Sequence, residues 1–226
     1  MTEPLSTTRP VALFTDAYKP VMSGVVNSLE LFRKGLEAIG QPALVFAPRF
    51  PGYVVEGEWD VRFPSVLLYK RAQLPFAMPA SRRAWRRFRQ EQPLLVHSQH
   101  PFWLGKTALG YARRADVPLV ATIHTQYEQY VHYIPLPGAT ARRLVRGMVR
   151  RYCRQADQVI TPSRSMAELL ASQGIAESVQ VIPNPLDLSA FKGELRGAEV
   201  RARYGLTADQ IVFGFIGRMA REKNLE

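Results

Sequence analysis

The chain has 226 residues and a mass of 25.5 kDa, with 46% apolar and 22% charged residues, which excludes disorder as the main state and allows one large core. No apolar run approaches the ~20 residues of a membrane span, the first eight residues are polar, and the single Cys153 excludes an internal disulfide and a cysteine-built zinc cage, so a cytosolic protein without leader or membrane helix is expected. The net charge of +11 is concentrated: residues 82–154 hold 14 basic side chains against three acids, while the rest of the chain balances 16 against 16, a field that attracts phosphate-bearing surfaces.

In chain order, residues 10–16 (PVALFTD) are a short apolar run ending in a polar loop and predict a buried strand. Val25, Leu29, Phe32, Leu36 and Ile39 then recur at steps of four and three up to Gly40, an amphipathic helix closed by a glycine. A strand is predicted at 43–47. Residues 52–79 are irregular and give only one or two β segments. The alternation resumes with strand 94–97, helix 102–115, strand 119–124, helix 140–155, strand 158–161, helix 165–172 and strand 179–182. Strands and helices alternating at these lengths predict a doubly wound, Rossmann-like α/β domain with a parallel sheet covered on both faces. Residues 184–197 are turn-rich, 200–204 suit a short helix, and 211–215 read as a further buried strand running into Gly217. The expected division is a first domain over residues 1–197 and the truncated start of a second over 198–226, the N-terminal part of a larger two-domain protein.

Ligands of an open parallel sheet bind beyond the carboxyl ends of its strands. The first such loop offers Asp16 and then Ser23-Gly24-Val25, a glycine turn whose free backbone N–H groups suit a phosphate or sugar oxygen. It lacks the G-x-G-x-x-G dinucleotide pattern. All four histidines, His97, His100, His124 and His132, fall within 36 residues, and three lie at or just past strand ends, where imidazole suits hydrogen bonding to hydroxyls or proton transfer. His124, Glu128 and His132 at steps of four would share one face of an α-helix, but neither H-E-x-x-H nor a cysteine supports a metal, and none is expected.

The runs FTDAYKPVMSGVV from Phe14, IHTQYEQYVHYI from Ile123, TPS from Thr161, VIPNP from Val181 and GRMAREKN from Gly217 together resemble the GT-B retaining glycosyltransferases of family 4. The stretch from His124 to Ile134 is similar to bacterial diacylglycerol glucosyltransferases. The resemblance implies the N-terminal, acceptor-binding half of a GT-B fold. It implies transfer of a hexose, glucose above all, from a nucleotide sugar such as UDP-glucose to a membrane lipid such as diacylglycerol. Anomeric configuration is retained, and neither metal nor other cofactor takes part. By the same resemblance Gly24 approaches the donor phosphates, and Arg218 and Lys223 hold the diphosphate, where fixed cations offset charge growing on the leaving group. His124 contacts the transferred sugar and is paired with Asp16 as the catalytic residues, while Tyr127, Glu128 and Tyr130 face the acceptor. Pro185 departs from the glycine usual after Ile182-Pro183-Asn184. The family's second nucleotide-sugar domain with its paired glutamates is not in this sequence, so the chain alone is expected to bind acceptor and membrane and to turn over poorly or not at all.

The basic third then takes a sharper meaning. Arg82, Arg83, Arg86, Arg87 and Arg89 surround Trp85 and Phe88, and Arg143, Arg146, Arg150 and Arg154 form a stripe opposite Leu144, Val145, Met148 and Tyr152. Basic helices with aromatics lie in anionic lipid interfaces. The first cluster is therefore expected to meet the membrane through Arg82, Arg83, Trp85, Arg86, Arg87 and Phe88, placing the protein on the inner face of the cell membrane. Two other readings stand beside this one. A pI near 10.1 suits a nucleic-acid-binding module, though without a recognisable motif its binding would be sequence-blind and no specific nucleic acid is expected. A family 4 enzyme could also take a sugar or a phosphoinositide as acceptor.

Overall fold

A computed structural model describes residues 9–54, 57–66, 75–133, 136–175, 178–193, 196–217 and 219. The contacts divide the chain into two compact units, Met1–Pro185 and Leu186–Glu226. The first holds strands β1 (Val11–Phe14), β2 (Ala43–Pro48), β3 (Asp60–Phe63), β4 (Ser65–Val66), β5 (Phe76–Ala77), β6 (Leu95–Ser98), β7 (Leu119–Thr122), β8 (Gln158–Thr161) and β9 (Val179–Val181). Its helices are α1 (Gly24–Ala38), α2 (Arg82–Glu91), α3 (Trp103–Ala115), α4 (Gly138–Cys153) and α5 (Arg164–Ser172). Seven strands form one sheet in the order β3-β2-β1-β6-β7-β8-β9, every pair parallel, while β4 and β5 make a separate antiparallel pair. The fold class expected from the sequence is therefore present. The order reverses at β1: the chain winds outward to β3, then returns through β4, β5 and α2 to place β6 on the other side of β1. That reversal opens a crevice beyond the carboxyl ends of β1 and β6.

The pleat explains the layers, because alternate side chains of a strand face opposite ways. On one face Ala12 and Phe14 of β1 join Phe46, Phe63, Phe88 and Tyr111. Phe14 stacks on Phe46 at 4.4 Å and meets Tyr111 edge-on at 5.6 Å. On the other face Val11 and Leu13 pack with Val26 and Leu29 of α1. A third cluster joins Ile123, Val145, Val149, Met166 and Leu170 beneath α4 and α5. Helix ends follow local chemistry. Ser23, Ser81 and Ser163 cap α1, α2 and α5 through side-chain oxygens that accept from the backbone, and Gly40 ends the first helix at φ +77°.

Three expectations for the first unit need correction. The described part of residues 52–79 contains three short strands rather than one or two, since β3 extends the main sheet and β4 pairs with β5. The aromatics of α2 do not face outward: Phe88 is 1% exposed inside the Phe14–Phe46–Phe63 cluster, and half-buried Trp85 stacks on it at 5.6 Å and meets Tyr111 at 4.7 Å. The apolar stripe of α2 is spent on the open side of the aromatic core, and Arg82, Arg83, Arg86 and Arg89 remain as its exposed face. On α4, Leu144 is likewise on the wrong side of the expected division; it is half exposed, and the buried stripe is Ala141, Val145, Val149, Tyr152 and Cys153.

The second unit, taken by itself, contains a 3-10 turn over Leu188–Phe191 and helix α6 (Gly197–Arg203). Arg201 Nη1 donates to the carbonyl oxygens of Thr207 and Gln210 and folds the following turn back on α6. Residues 211–215 are not a buried strand: they have no regular structure, and Phe213 is 94% exposed. A strand needs a ladder partner for its N–H and C=O groups, and the described residues offer this segment none. Among the described residues no helix is long and apolar enough to cross a membrane.

Candidate functional site

The crevice between β1 and β6 is built from two loops that brace each other. Beyond β1, Thr15 turns the chain by donating from Oγ1 to the Ala17 carbonyl at 2.7 Å. Asp16 then reaches across to α3, where its Oδ1 accepts from the Leu104 N–H at 2.7 Å. No side chain of α3's own caps that end, so Asp16 supplies the missing cap and sits against the positive end of the helix dipole. Burial raises the Asp16 pKa to about 6, opposed by the hydrogen bond from Leu104. Beyond β6, His100 Nδ1 accepts from the Asp16 N–H at 3.2 Å, and Ser98 Oγ donates to the His100 carbonyl at 2.7 Å. α3 approaches so closely that a Cβ on Gly105 would lie 1.8 Å from the His100 carbonyl oxygen.

His124 follows β7 by two residues, on a segment whose Ile123 N–H and C=O are tied to Ile160 and Thr161 of β8. Its Nε2 lies 2.7 Å from Gln99 Oε1, an oxygen that can only accept, so a hydrogen bond between the two requires the ring proton on Nε2. Its Nδ1 is buried without a partner, as is the Gln99 side-chain nitrogen. Asn184 stands on the other side and accepts from Ser28 Oγ of α1 at 3.2 Å. Burial lowers the His124 pKa to about 4, with Asn184 pulling the other way. His97 is a support rather than a ligand: it is buried, its Nε2 lies 2.7 Å from Thr122 Oγ1, and Phe32 meets it edge-on. Burial and the His124 charge lower both His97 and His100 to about 3. All three rings are neutral at physiological pH, and a cavity of about 50 Å³ lies among Ser28, Phe32, His97, Gln99, His124 and Asn184.

The other residues singled out from the sequence are only partly brought together. Gly24 is the first residue of α1, exposed, and a Cβ there would touch nothing within 4 Å, so its small size serves no packing in this chain. Tyr127 opens the 3-10 segment Tyr127–Tyr133 and packs edge-on to Phe102 at 4.8 Å. Its hydroxyl is buried without a partner, and burial together with the nearby Asp16 charge pushes its pKa up. Glu128 is committed elsewhere, in a two-pronged ion pair with Arg146 of α4 at 2.9 and 2.6 Å. Tyr130 is half-buried on the same turn. The segment Tyr127–Tyr133 is a 3-10 helix, without the α-helical repeat on which a shared face for His124, Glu128 and His132 would rest, and the side chain of His132 lies outside the described residues. Among the described residues no cluster of three metal-ligating side chains occurs. Arg218 and Lys223 lie outside the described residues. Two further residues of this crevice were not singled out from the sequence. Gln99 and Asn184 are uncharged amides, and only their position just past strand ends could have marked them.

Comparison with known proteins identifies the family and the fold. The family model of Glycosyltransferase Family 4 matches residues 22–190. An alpha-monoglucosyldiacylglycerol synthase of Streptococcus pneumoniae is 30% identical over 96% of this chain and 50% of its own length. A GDP-mannose-dependent alpha-mannosyltransferase of Mycobacterium tuberculosis is 32% identical over 96% of this chain and 57% of its own. Among solved structures, a sucrose-phosphate synthase of Thermosynechococcus elongatus superposes with a TM-score of 0.64 at 16% identity, over 89% of this chain and 53% of that one. The chain thus spans about half the length of the curated relatives it matches. With the family model covering most of its residues, the chain belongs to glycosyltransferase family 4.

Proposed function

We propose that the crevice beyond β1, β6 and β7 receives the sugar of a nucleotide-sugar donor for transfer to a membrane lipid of the diacylglycerol class. The observation that carries this is the buried, unpartnered pair of His124 Nδ1 and the Gln99 amide at the carboxyl end of the sheet. Buried polar atoms are nearly always paired, and sugar hydroxyls both donate and accept. In this reading the neutral His124 accepts from a hydroxyl of the transferred hexose, and Asp16 holds the end of α3 that borders the crevice. The free N–H groups at the start of α1, kept open by Gly24, face the donor phosphates, and Arg218 and Lys223 offset the charge on the departing diphosphate. The bond from the anomeric carbon to the phosphate oxygen breaks and one to the lipid hydroxyl oxygen forms on the same face. The hydroxyl proton leaves on the diphosphate, and no metal or further cofactor takes part. Tyr127 and Tyr130 line the acceptor side; Glu128 acts there only through its pairing with Arg146.

The acceptor draws the enzyme to a surface. The exposed arginines of α2 and the groove of about 1010 Å³ beside them, with Arg49, Arg83, Arg86 and Arg87 in its wall, suit anionic lipid headgroups on the inner face of the cell membrane. The glucosyldiacylglycerol synthase relative favours a glucosyl donor, here read as UDP-glucose, and the mannosyltransferase relative makes GDP-mannose the second reading. The test is to incubate the full native chain with diacylglycerol vesicles and each nucleotide sugar, and to follow hexosyl lipid by mass spectrometry. The expected result is a hexosyl diacylglycerol with one of the two donors, reduced at least ~100-fold by His124→Ala. Transfer only to water-soluble sugars would overturn the lipid acceptor.

A further inference from the structure

Among the described residues, the side chain of Gln99 stands 2.7 Å from His124 Nε2 and is 3% exposed just past the end of β6, while Asn184 contacts the ring as well. Its backbone is pinned as well, the Gln99 N–H donating to the Phe14 carbonyl of β1 at 2.8 Å. Both ends of the Gln99–His124 pair carry a polar atom left over: a bare ring nitrogen and an amide with hydrogens to give. No other histidine nitrogen among the described residues is buried and unpartnered. His100 has its Nδ1 engaged by the Asp16 N–H, and His97 has its Nε2 on Thr122.

We propose that Gln99 is the positioning residue of this site: it locks His124 in the Nε2-protonated tautomer, so that the pair presents one acceptor, His124 Nδ1, and one donor, the Gln99 amide, to hydroxyls of the sugar. The assignment rests on reading His124 as sugar-facing. It also gives the site a rule of selection. A hexose lacking the contacted hydroxyl leaves both buried groups unpaired, and sites built around a hydroxyl reject its deoxy analogue strongly. The opposite tautomer would offer a donor in place of the acceptor, and a Gln99 that turned its amide nitrogen to His124 would present its oxygen, an acceptor, where the donor now stands.

Multiple-bond 1H–15N spectra of the 226-residue protein, with the ring assigned by loss of its signals in His124→Ala, read the tautomer directly. The expected wild-type spectrum has a pyrrole-type Nε2 and a pyridine-type Nδ1. Gln99→Glu keeps an accepting oxygen and should keep that pattern; Gln99→Met keeps the length, loses the acceptor and should give a mixture of tautomers. In the full native chain Gln99→Met should raise KM for the nucleotide sugar roughly tenfold, the worth of about one hydrogen bond, with Gln99→Glu recovering part of it. A wild-type ring protonated on Nδ1 overturns the proposal, and this reading stands even if Gln99→Met does not fold. A tautomer unmoved by Gln99→Met overturns it equally. Because the spectrum requires no turnover, a correct tautomer in a protein that transfers no sugar counts against the proposed function and leaves the Gln99–His124 assignment intact.

Discussion

Burial holds His97, His100 and His124 neutral, with pKa values lowered to about 3, 3 and 4. Unfolding returns them to about 6.5, so between pH 4 and 6.5 the unfolded chain binds more protons; the stability they contribute is full above that window and lost as pH falls through it. Asp16 has the opposite sign. Raised from 3.8 to about 6, it keeps in the folded state a proton that the unfolded chain has released, and its contribution weakens as pH rises through 6. Near pH 5 these four groups together take up about two protons on unfolding, a slope of ~2.7 kcal/mol per pH unit. Asp16→Asn retains an oxygen for the Leu104 N–H and should raise the uptake to about three. Urea unfolding across pH 4.5 to 6.5 measures this, and an unchanged slope would remove the buried, protonated Asp16 from the account. Gly105→Ala should cost about 3 kcal/mol in the same assay, because its Cβ meets a backbone carbonyl that Ser98 holds in place. The position of His124 just past β7 was legible in the sequence because it follows an apolar run that had to be a strand. Gln99 was not, since an uncharged amide announces neither its burial nor the atom it will face.

At the level of elements, α2 separates two roles that its sequence mixes. Phe88→Ala should destabilise the protein by about 3–5 kcal/mol through the cavity left under Phe14 and Phe46. Replacing Arg82, Arg83, Arg86 and Arg89 together by Glu should leave the unfolding midpoint almost unchanged and abolish sedimentation with anionic vesicles. If the arginine variant still sediments, the membrane face lies elsewhere. The distinction was invisible before the fold was known, because an amphipathic helix carrying Trp and Phe has the same periodicity whether its apolar stripe meets lipid or a core. The long alternation from β6 to β9 was legible, each apolar run being flanked by its own polar turn. Residues 52–79 were not: β4 and β5 are two residues long, too short for a period to show. Residues 211–215 read as a strand on composition alone, and composition does not supply the neighbour a strand must pair with.

Over the whole molecule, charge and topology act together. The sheet reversal at β1 puts the orphaned Gln99–His124 pair at the mouth of one crevice, and the chain segment that crosses to β6 carries the exposed arginines of α2. Vesicle binding driven by such a face should fall as ionic strength rises, since exposed charges are screened beyond ~8 Å at physiological salt. The catalytic claim depends on both features at once, a sugar held at His124 and a lipid hydroxyl delivered from a surface. It is tested most directly by hexosyl transfer from UDP-glucose or GDP-mannose to diacylglycerol in anionic vesicles, using the full native chain and its His124→Ala variant. The account predicts a hexosyl diacylglycerol that the variant fails to make; equal yields from the two proteins, or a product formed only on water-soluble acceptors, would contradict it.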